Sequence, residues 1–273
     1  MRTGVLSDVH ANLPALQAVL GVLARRGVDQ LLVAGDLIGY GGQPDECVAT
    51  LAEAGAHCVL GNHDLLVLDR LPPTRFPAVA RMAAKLHRSL LSAGTRSHLE
   101  SLPTVLRTGR VLMAHGSLDS PEEYVTREPR ALELLARLPR EAPGADTLVL
   151  GHTHQPWLVG AGTGTVRVRS TVPTPTAPWL LNPGSVGQSR QRERRPRARC
   201  AVIDDVAGTV EFLRVDFDVA ASREELRRHG LPDRCLHAPP PVWWPAARRA
   251  RLVLDRAAAR LPGQRRRRSA RTR

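Results

Sequence analysis

One lysine stands against 38 arginines in this chain, and aromatic residues make up only 3% of its 273 positions. So few rings exclude an aromatic core and leave Leu, Val and Ala to fill it. No stretch approaches the roughly 18 consecutive apolar residues of a membrane-spanning helix, which excludes a membrane protein of that class. The four cysteines, Cys47, Cys58, Cys200 and Cys235, form no CxxC pair. That excludes the paired-thiol motifs of zinc ribbons and disulfide exchange, and it suits reduced, buried thiols. The first strand is expected from Thr3 and the first polar motif arrives at Asp8, leaving no room for a cleaved leader. The expectation is a cytoplasmic protein with one large α/β domain and an appendage.

Charge is unevenly spread. The net +13 is concentrated in residues 221–273, which hold 15 Arg against 4 acidic residues, and in residues 190–199, which hold six Arg and one Glu. The rest of the body is close to neutral. One loop and one tail could therefore supply nonspecific phosphate contacts to nucleic acid; a solvated tail reflecting coding bias is the plainer reading.

The first half alternates strands and helices. Residues 3–8 read as a short buried strand. Asn12 is a candidate N-cap, Pro14 suits the first helical turn, Leu13, Leu16, Leu20 and Leu23 form an apolar face, and Gly27 closes the helix. Residues 31–36 form the next strand, Pro44 opens a helix ending at Gly55, and residues 57–62 form the third strand. Asp8, Asp36 and Asn62 thus recur at spacings of 28 and 26, about one βαβ unit each. Two further apolar runs, 111–115 and 147–152, also end on a polar residue. Open α/β sheets hold their sites beyond the carboxyl ends of their strands.

Residues 70–102 read as helical, a partial cap. Strands are expected at 165–169, 179–182, 200–203 and 210–215, the last two joined as a hairpin at Gly208. From about residue 220 the pattern changes to a short charged helix, a proline run at 239–241, Trp243 and Trp244, a basic helix over 246–260 and a disordered arginine run at 265–268.

The polar residues at the strand ends carry the chemistry. Asp8 and His10 are two apart, and in extended backbone such side chains point the same way. A carboxylate beside an imidazole suits Mn²⁺, Fe or Zn²⁺. Asp36, on the central strand, is the candidate to bridge two ions. In Gly61-Asn62-His63-Asp64 the amide oxygen can ligate without adding charge, and Asp64 could fix the His63 ring beside it. Gly151-His152-Thr153-His154 puts two imidazoles on one side of an extended segment, and His115 ends a strand. Singly, each has an ordinary structural reading: a strand-end cap, a polar turn, a buried core histidine. Together they can hold two divalent metals, which activate water against a phosphate ester.

This ordered set, with Ala114-His115-Gly116, resembles the calcineurin-like metallophosphoesterase superfamily. Asn182-Pro-Gly-Ser-Val-Gly187 resembles the segment that follows in its small bacterial phosphodiesterase branch. The resemblance spans residues 1–217 and leaves 218–273 as a basic, Pro/Arg-rich extension. It implies an α/β fold, a four-layer α/β/β/α sandwich of two mixed sheets flanked by helices, with a dinuclear site at one edge. It implies that Asp8, His10, Asp36 and His154 hold one metal, and that Asp36, Asn62, His115 and His152 hold the other. Mn²⁺ is the expected ion, with Fe, Zn²⁺, Ni²⁺ or Co²⁺ as alternatives.

Two departures stand out. Ala11 replaces the glycine that usually follows the Asp-x-His motif. Leu37-Ile-Gly-Tyr-Gly-Gly42 stands where the protein Ser/Thr phosphatases carry Asp-Arg-Gly, and Gly-Asn-His-Asp replaces their Gly-Asn-His-Glu, which argues against a dedicated phosphoprotein phosphatase.

The expected activity is hydrolysis of a small phosphate ester or nucleotide, as a phosphodiesterase or phosphatase. A metal-bridging hydroxide attacks phosphorus in line, and His63, oriented by Asp64, protonates the leaving oxygen or stabilises the transition state. Two other readings compete: a catalytically silent protein-binding scaffold, opposed by the survival of His63 and every expected ligand, and a nucleic-acid-processing phosphodiesterase using the arginine loop and tail. Tyr40 and Tyr124 could border the substrate, Trp243 and Trp244 pack the tail against the body, and His57, His87 and His98 receive no role.

Overall fold

A computed structural model of the protein describes residues 1–239. Its chain alternates at first between strands and helices: β1 (Arg2–Leu6), α1 (Leu13–Arg25), β2 (Gln30–Val33), α2 (Pro44–Glu53) and β3 (His57–Cys58). Three helices follow, α3 (Asn62–Val67), α4 (Ala78–Leu90) and α5 (Ala93–Ser101). Then come β4 (Val105–Thr108), β5 (Val111–Ala114), α6 (Glu128–Glu141), β6 (Thr147–Val149), β7 (Trp157–Gly160) and β8 (Gly164–Val166). The last elements are β9 (Thr171–Pro173), β10 (Trp179–Asn182), β11 (Ala198–Asp204), β12 (Thr209–Val215) and α7 (Val219–Arg228).

Two mixed six-stranded sheets result, ordered β3-β2-β1-β11-β12-β9 and β4-β5-β6-β10-β7-β8. Side-chain alternation builds the layers, because successive residues of a strand face opposite sides. Val5, Leu32, Met113, Val149, Leu181 and Ala201 point into the core between the sheets. Their neighbours Leu6, Val33 and Val202 face the helices on one outer side, while Leu112, Leu148 and Leu180 face α6 on the other. Helix, sheet, sheet, helix is therefore the order of the layers, as the resemblance implied.

Local signals behaved as their chemistry dictates. Asn12 caps α1 by accepting the Ala15 N–H at 3.3 Å, and Gly27 and Gly55 follow their helices at φ 62°. The 204–209 hairpin pairs Asp204 with Thr209. Two expectations change. The third strand stops at Cys58, and Asn62 opens α3 rather than ending a strand. The compact unit continues to Pro239, beyond 217, because Val219, Leu226, Leu231, Cys235 and Leu236 bury against the core under α1. The five motifs come from both sheets and from the first turn of α3, and the carboxyl ends of the strands bring them together at the edge the resemblance implied. The tail features expected after residue 239 lie outside the described residues. All four cysteines are buried and unpaired, and among the described residues no helix is long and apolar enough to cross a membrane.

Candidate metal centre

The polar motifs occupy the loops at the carboxyl ends of β1, β2, β5 and β6 and the first turn of α3. Their backbone is not extended. Asp8, His10, Asp36, His152 and His154 have φ between 51° and 64°, as do Ala11 and Tyr40 beside them. Side chains of the Asp8/His10 and His152/His154 pairs therefore converge through left-handed turns, contrary to the extended geometry the spacing suggested. Such residues cost on the order of 1–3 kcal/mol each and persist where surroundings over-determine them. Here cross-loop hydrogen bonds do so: Asp8 N–H to Gly35 O, His10 N–H to Asp36 O, Gly187 N–H to Asp8 O. Ala11, at φ 51°, explains why glycine suits that position. Gly61 is required differently: a Cβ there would fall on Asp36 Oδ1.

Two groups form. Asp8, His10 and His154 each offer an atom within 4.8 Å of the others, and so do Asp36, His115 and His152. Asp36 lies between the groups, with Oδ2 3.1 Å from His115 Nε2 and 3.8 Å from His10 Nε2. Asn62 Oδ1 lies 3.0 Å from His115 Nε2.

Each ring's tautomer follows from its other nitrogen, because a backbone carbonyl only accepts. His10 Nδ1 donates to Ile38 O, His115 Nδ1 to Ala34 O at 2.6 Å, and His154 Nδ1 to Gln188 O at 2.8 Å. Their Nε2 atoms are thus left with lone pairs. His152 is reversed: Nε2 donates to Glu122 O at 3.2 Å, leaving Nδ1 bare. These lone pairs face one another and carboxylate oxygens. His154 Nε2 is 3.2 Å from His10 Nε2 and 3.1 Å from Asp8 Oδ1. Asp8 Oδ1 and Asp36 Oδ2 are buried without a hydrogen-bond partner. Acceptors packed against acceptors are repulsive unless a cation lies between them.

The titration directions show that, without a metal, the site draws positive charge in the form of a proton. Burial pulls the His115 imidazole down, yet the Asp36 and Asp8 carboxylates outweigh it and raise its pKa to about 9. Burial pushes the Asp8 and Asp36 carboxyls up, but the surrounding imidazoles hold both below the usual range. Burial leads the lowering of His152 to about 3 and of His63 to about 4.

His63 lies outside both groups. Its ring packs 4.5 Å from Tyr40 and 5.5 Å from Phe76, and its Nδ1 is buried against Gly39 without a partner. The expected Asp64–His63 pairing is not formed. Asp64 instead accepts the N–H groups of Gly61 at 2.8 Å, Ile38 at 3.0 Å and Leu37 at 3.3 Å. As the third residue of α3 its side chain turns back to the helix entrance, so it ties the loop after β2 to that entrance. Burial and the Asp36 charge raise its pKa to about 7.

A cleft of about 370 Å³ opens beside Asn62, His63 and His152, with Tyr40, Phe76, Tyr124 and Arg190 among its walls. Both tyrosines thus border it, Tyr124 with its ring 4.0 Å from His152. Sequence reasoning missed Gln188, and it missed His87, which accepts Gly39 N–H at Nδ1 and donates from Nε2 to Gly41 O at 2.6 Å. It grouped Arg190 with a basic loop. Within that loop Arg199 pairs with Glu193 at 2.8 Å and Arg197 with Asp216 at 3.1 Å.

The calcineurin-like phosphoesterase superfamily domain matches residues 1–206. A crystal structure of a metallophosphoesterase from Sphaerobacter thermophilus is 31% identical with a TM-score of 0.73, covering 86% of this chain and 97% of that one. A hypothetical protein from Pyrococcus horikoshii, 18% identical with a TM-score of 0.70 over 86% of this chain and 96% of its own, shares the fold. An uncharacterized protein of Methanocaldococcus jannaschii is 28% identical over 235 residues, 84% of this chain and 93% of the relative. With two sheets flanked by helices and two candidate metal-binding groups already in place, these matches settle the family: the chain belongs to the calcineurin-like phosphoesterase superfamily.

Proposed function

We propose that the protein hydrolyses small phosphate esters, diesters or monoesters, with two divalent metal ions at this centre. One observation carries the reading: bare imidazole nitrogens and undonated carboxylate oxygens converge from four strand-end loops of the two sheets, a set only cations can reconcile. Asp8, His10, Asp36 and His154 would hold one ion, and Asp36, Asn62, His115 and His152 the other. Mixed oxygen and imidazole donors are compatible with Mn²⁺, the ion we favour, and with Fe, Zn²⁺, Ni²⁺ or Co²⁺. When bound, such ions supply an activated water and neutralise charge on the phosphoryl group.

The chain's own residues do the rest. Ser7 Oγ and the His152 N–H fix Asp8 through Oδ2 at 2.6 and 3.1 Å, and the His63 N–H fixes Asp36 through Oδ1 at 2.8 Å. That leaves the opposite oxygens free to ligate. His63, held neutral by burial, offers the phosphate a hydrogen bond from the cleft wall. Tyr40 and Phe76 pack against its ring, and Tyr124 lines the same cleft. The buried, unpaired thiols fit a reducing compartment, and we place the protein in the cytoplasm.

The test is a screen of the metal-stripped, Mn²⁺-reconstituted full chain on monoesters, diesters, cyclic nucleotides and dinucleoside polyphosphates, with Asp36→Asn as the blank. Two bound Mn²⁺ per chain and turnover absent from the blank are expected. A wild type that binds Mn²⁺ yet cleaves none of these esters would sink the proposal in favour of a binding scaffold.

A further inference from the structure

We propose that Arg190 is the residue that grips the phosphoryl group, a clamp positioned by Gln188 and Tyr124; this rests on the hydrolase reading above. Arg190 is half-buried in the cleft wall. Its Nε donates to Gln188 Oε1 at 3.1 Å and its Nη1 to the Tyr124 hydroxyl at 3.2 Å. Both partners are neutral, and no carboxylate of the described residues forms an ion pair with it. Another arginine of this cleft, Arg75, is committed to Glu122 at 2.6 Å.

A guanidinium withdrawn from water without a carboxylate, beside sites that collect cations, is unfavourable unless an anion completes it. Its charge reaches the site, acting on both His63 and His154. The planar fork of arginine matches two phosphate oxygens at once.

Gln188 makes the placement rigid. Its buried amide donates from Nε2 to Arg234 O at 3.0 Å, so Oε1 must face Arg190. Its backbone carbonyl meanwhile receives the His154 Nδ1 proton. One residue thus registers the arginine against the Asp8 group. Tyr124 does the same on the other side, with its ring on His152 and its hydroxyl on Arg190. The clamp is therefore tied to both halves of the centre before any ester arrives, which lowers the ordering cost of binding.

The experiment measures inorganic phosphate binding by calorimetry to the full chain, metal-free and Mn²⁺-loaded, alongside Mn²⁺ titration. Arg190→Met is expected to weaken phosphate binding by about ten-fold or more in both forms while Mn²⁺ affinity is retained. Tyr124→Phe, which removes one support, should weaken it by only about two- to five-fold. Phosphate affinity of Arg190→Met within about two-fold of wild type overturns the clamp. Should Arg190→Met fail to fold, Arg190→Gln, which can still bond to Gln188, is read with the same limits. The two proposals fail separately. An inactive wild type whose phosphate binding still depends on Arg190 removes the hydrolase reading and upholds the clamp. An active one whose phosphate binding ignores Arg190 removes the clamp alone.

Discussion

The two halves of the centre are made of the same side chains and differ in access. The Asp8 group is sealed: Asp8, His10 and His154 are at most 1% exposed, and both imidazoles turn Nε2 inward from Nδ1–H···O=C bonds. The Asp36 group is open on one side, because His152 and Asn62 line the cleft and His152 is anchored in the reverse sense, through Nε2. Enclosure suits an ion that stays in place. An open flank suits one that meets substrate. Asp36, between the groups, makes them one device.

Truncating one histidine from each half puts that difference to the strongest test. His154→Ala and His152→Ala should each lower the Mn²⁺ stoichiometry from two to one, and activity should fall by more than about 10⁴-fold in both, since either leaves the two-ion arrangement incomplete. The remaining ion should behave differently. In His154→Ala it is the cleft-side ion, lost quickly to a chelator; in His152→Ala it is the enclosed ion, lost slowly. Equal release rates would show that enclosure does not distinguish the halves.

His63 sharpens the comparison from outside both groups. His63→Ala should keep both ions and lose roughly 10²–10³-fold in kcat on an unactivated diester, the usual cost of removing one hydrogen-bond donor to the charge that develops in the transition state. Loss of an ion would move His63 into the Asp36 group. Full turnover would leave it without a role.

What the sequence disclosed follows the same division. The runs ending at Asp8, Asp36, His115 and His152 were legible because strands buried on both faces read as short apolar runs with a polar stop. The layer order itself came from the resemblance, not from those runs. The left-handed turns at Asp8, His10, His152 and His154 were not legible, because non-glycine residues hide them and the hydrogen bonds enforcing them come from distant loops. Asp64 was assigned to its neighbour His63, whereas a helix entrance turns the third side chain back to backbone donors. Arg190 was lost in a charge run. Only the fold separates it from Arg197 and Arg199, whose charges are already matched.

The smallest effect probes the loop that carries Tyr40 over the cleft. His87 pins it from α4, accepting Gly39 N–H and donating to Gly41 O, and Tyr40 in turn packs 4.8 Å from His10 and 4.5 Å from His63. Burial lowers the His87 pKa from 6.5 to about 4, the Gly41 bond opposing, with His63 and His229 adding to the lowering. The sign is that of a buried neutral base. Above pH 6.5 both folded and unfolded chains hold it uncharged; between 6.5 and 4 only the unfolded chain takes up the proton. Stability is therefore lost as pH falls through that window, by about 1.4 kcal/mol per unit and no more than about 3.5 kcal/mol in all. Carboxylates of the centre add their own slope, but His87→Gln leaves them in place. Denaturant unfolding of the two metal-free chains should thus converge on acidification, the wild type losing more between pH 7 and pH 4.5 than the variant. Parallel slopes would mean that His87 is not held neutral, and that the loop over the cleft is pinned by some other contact.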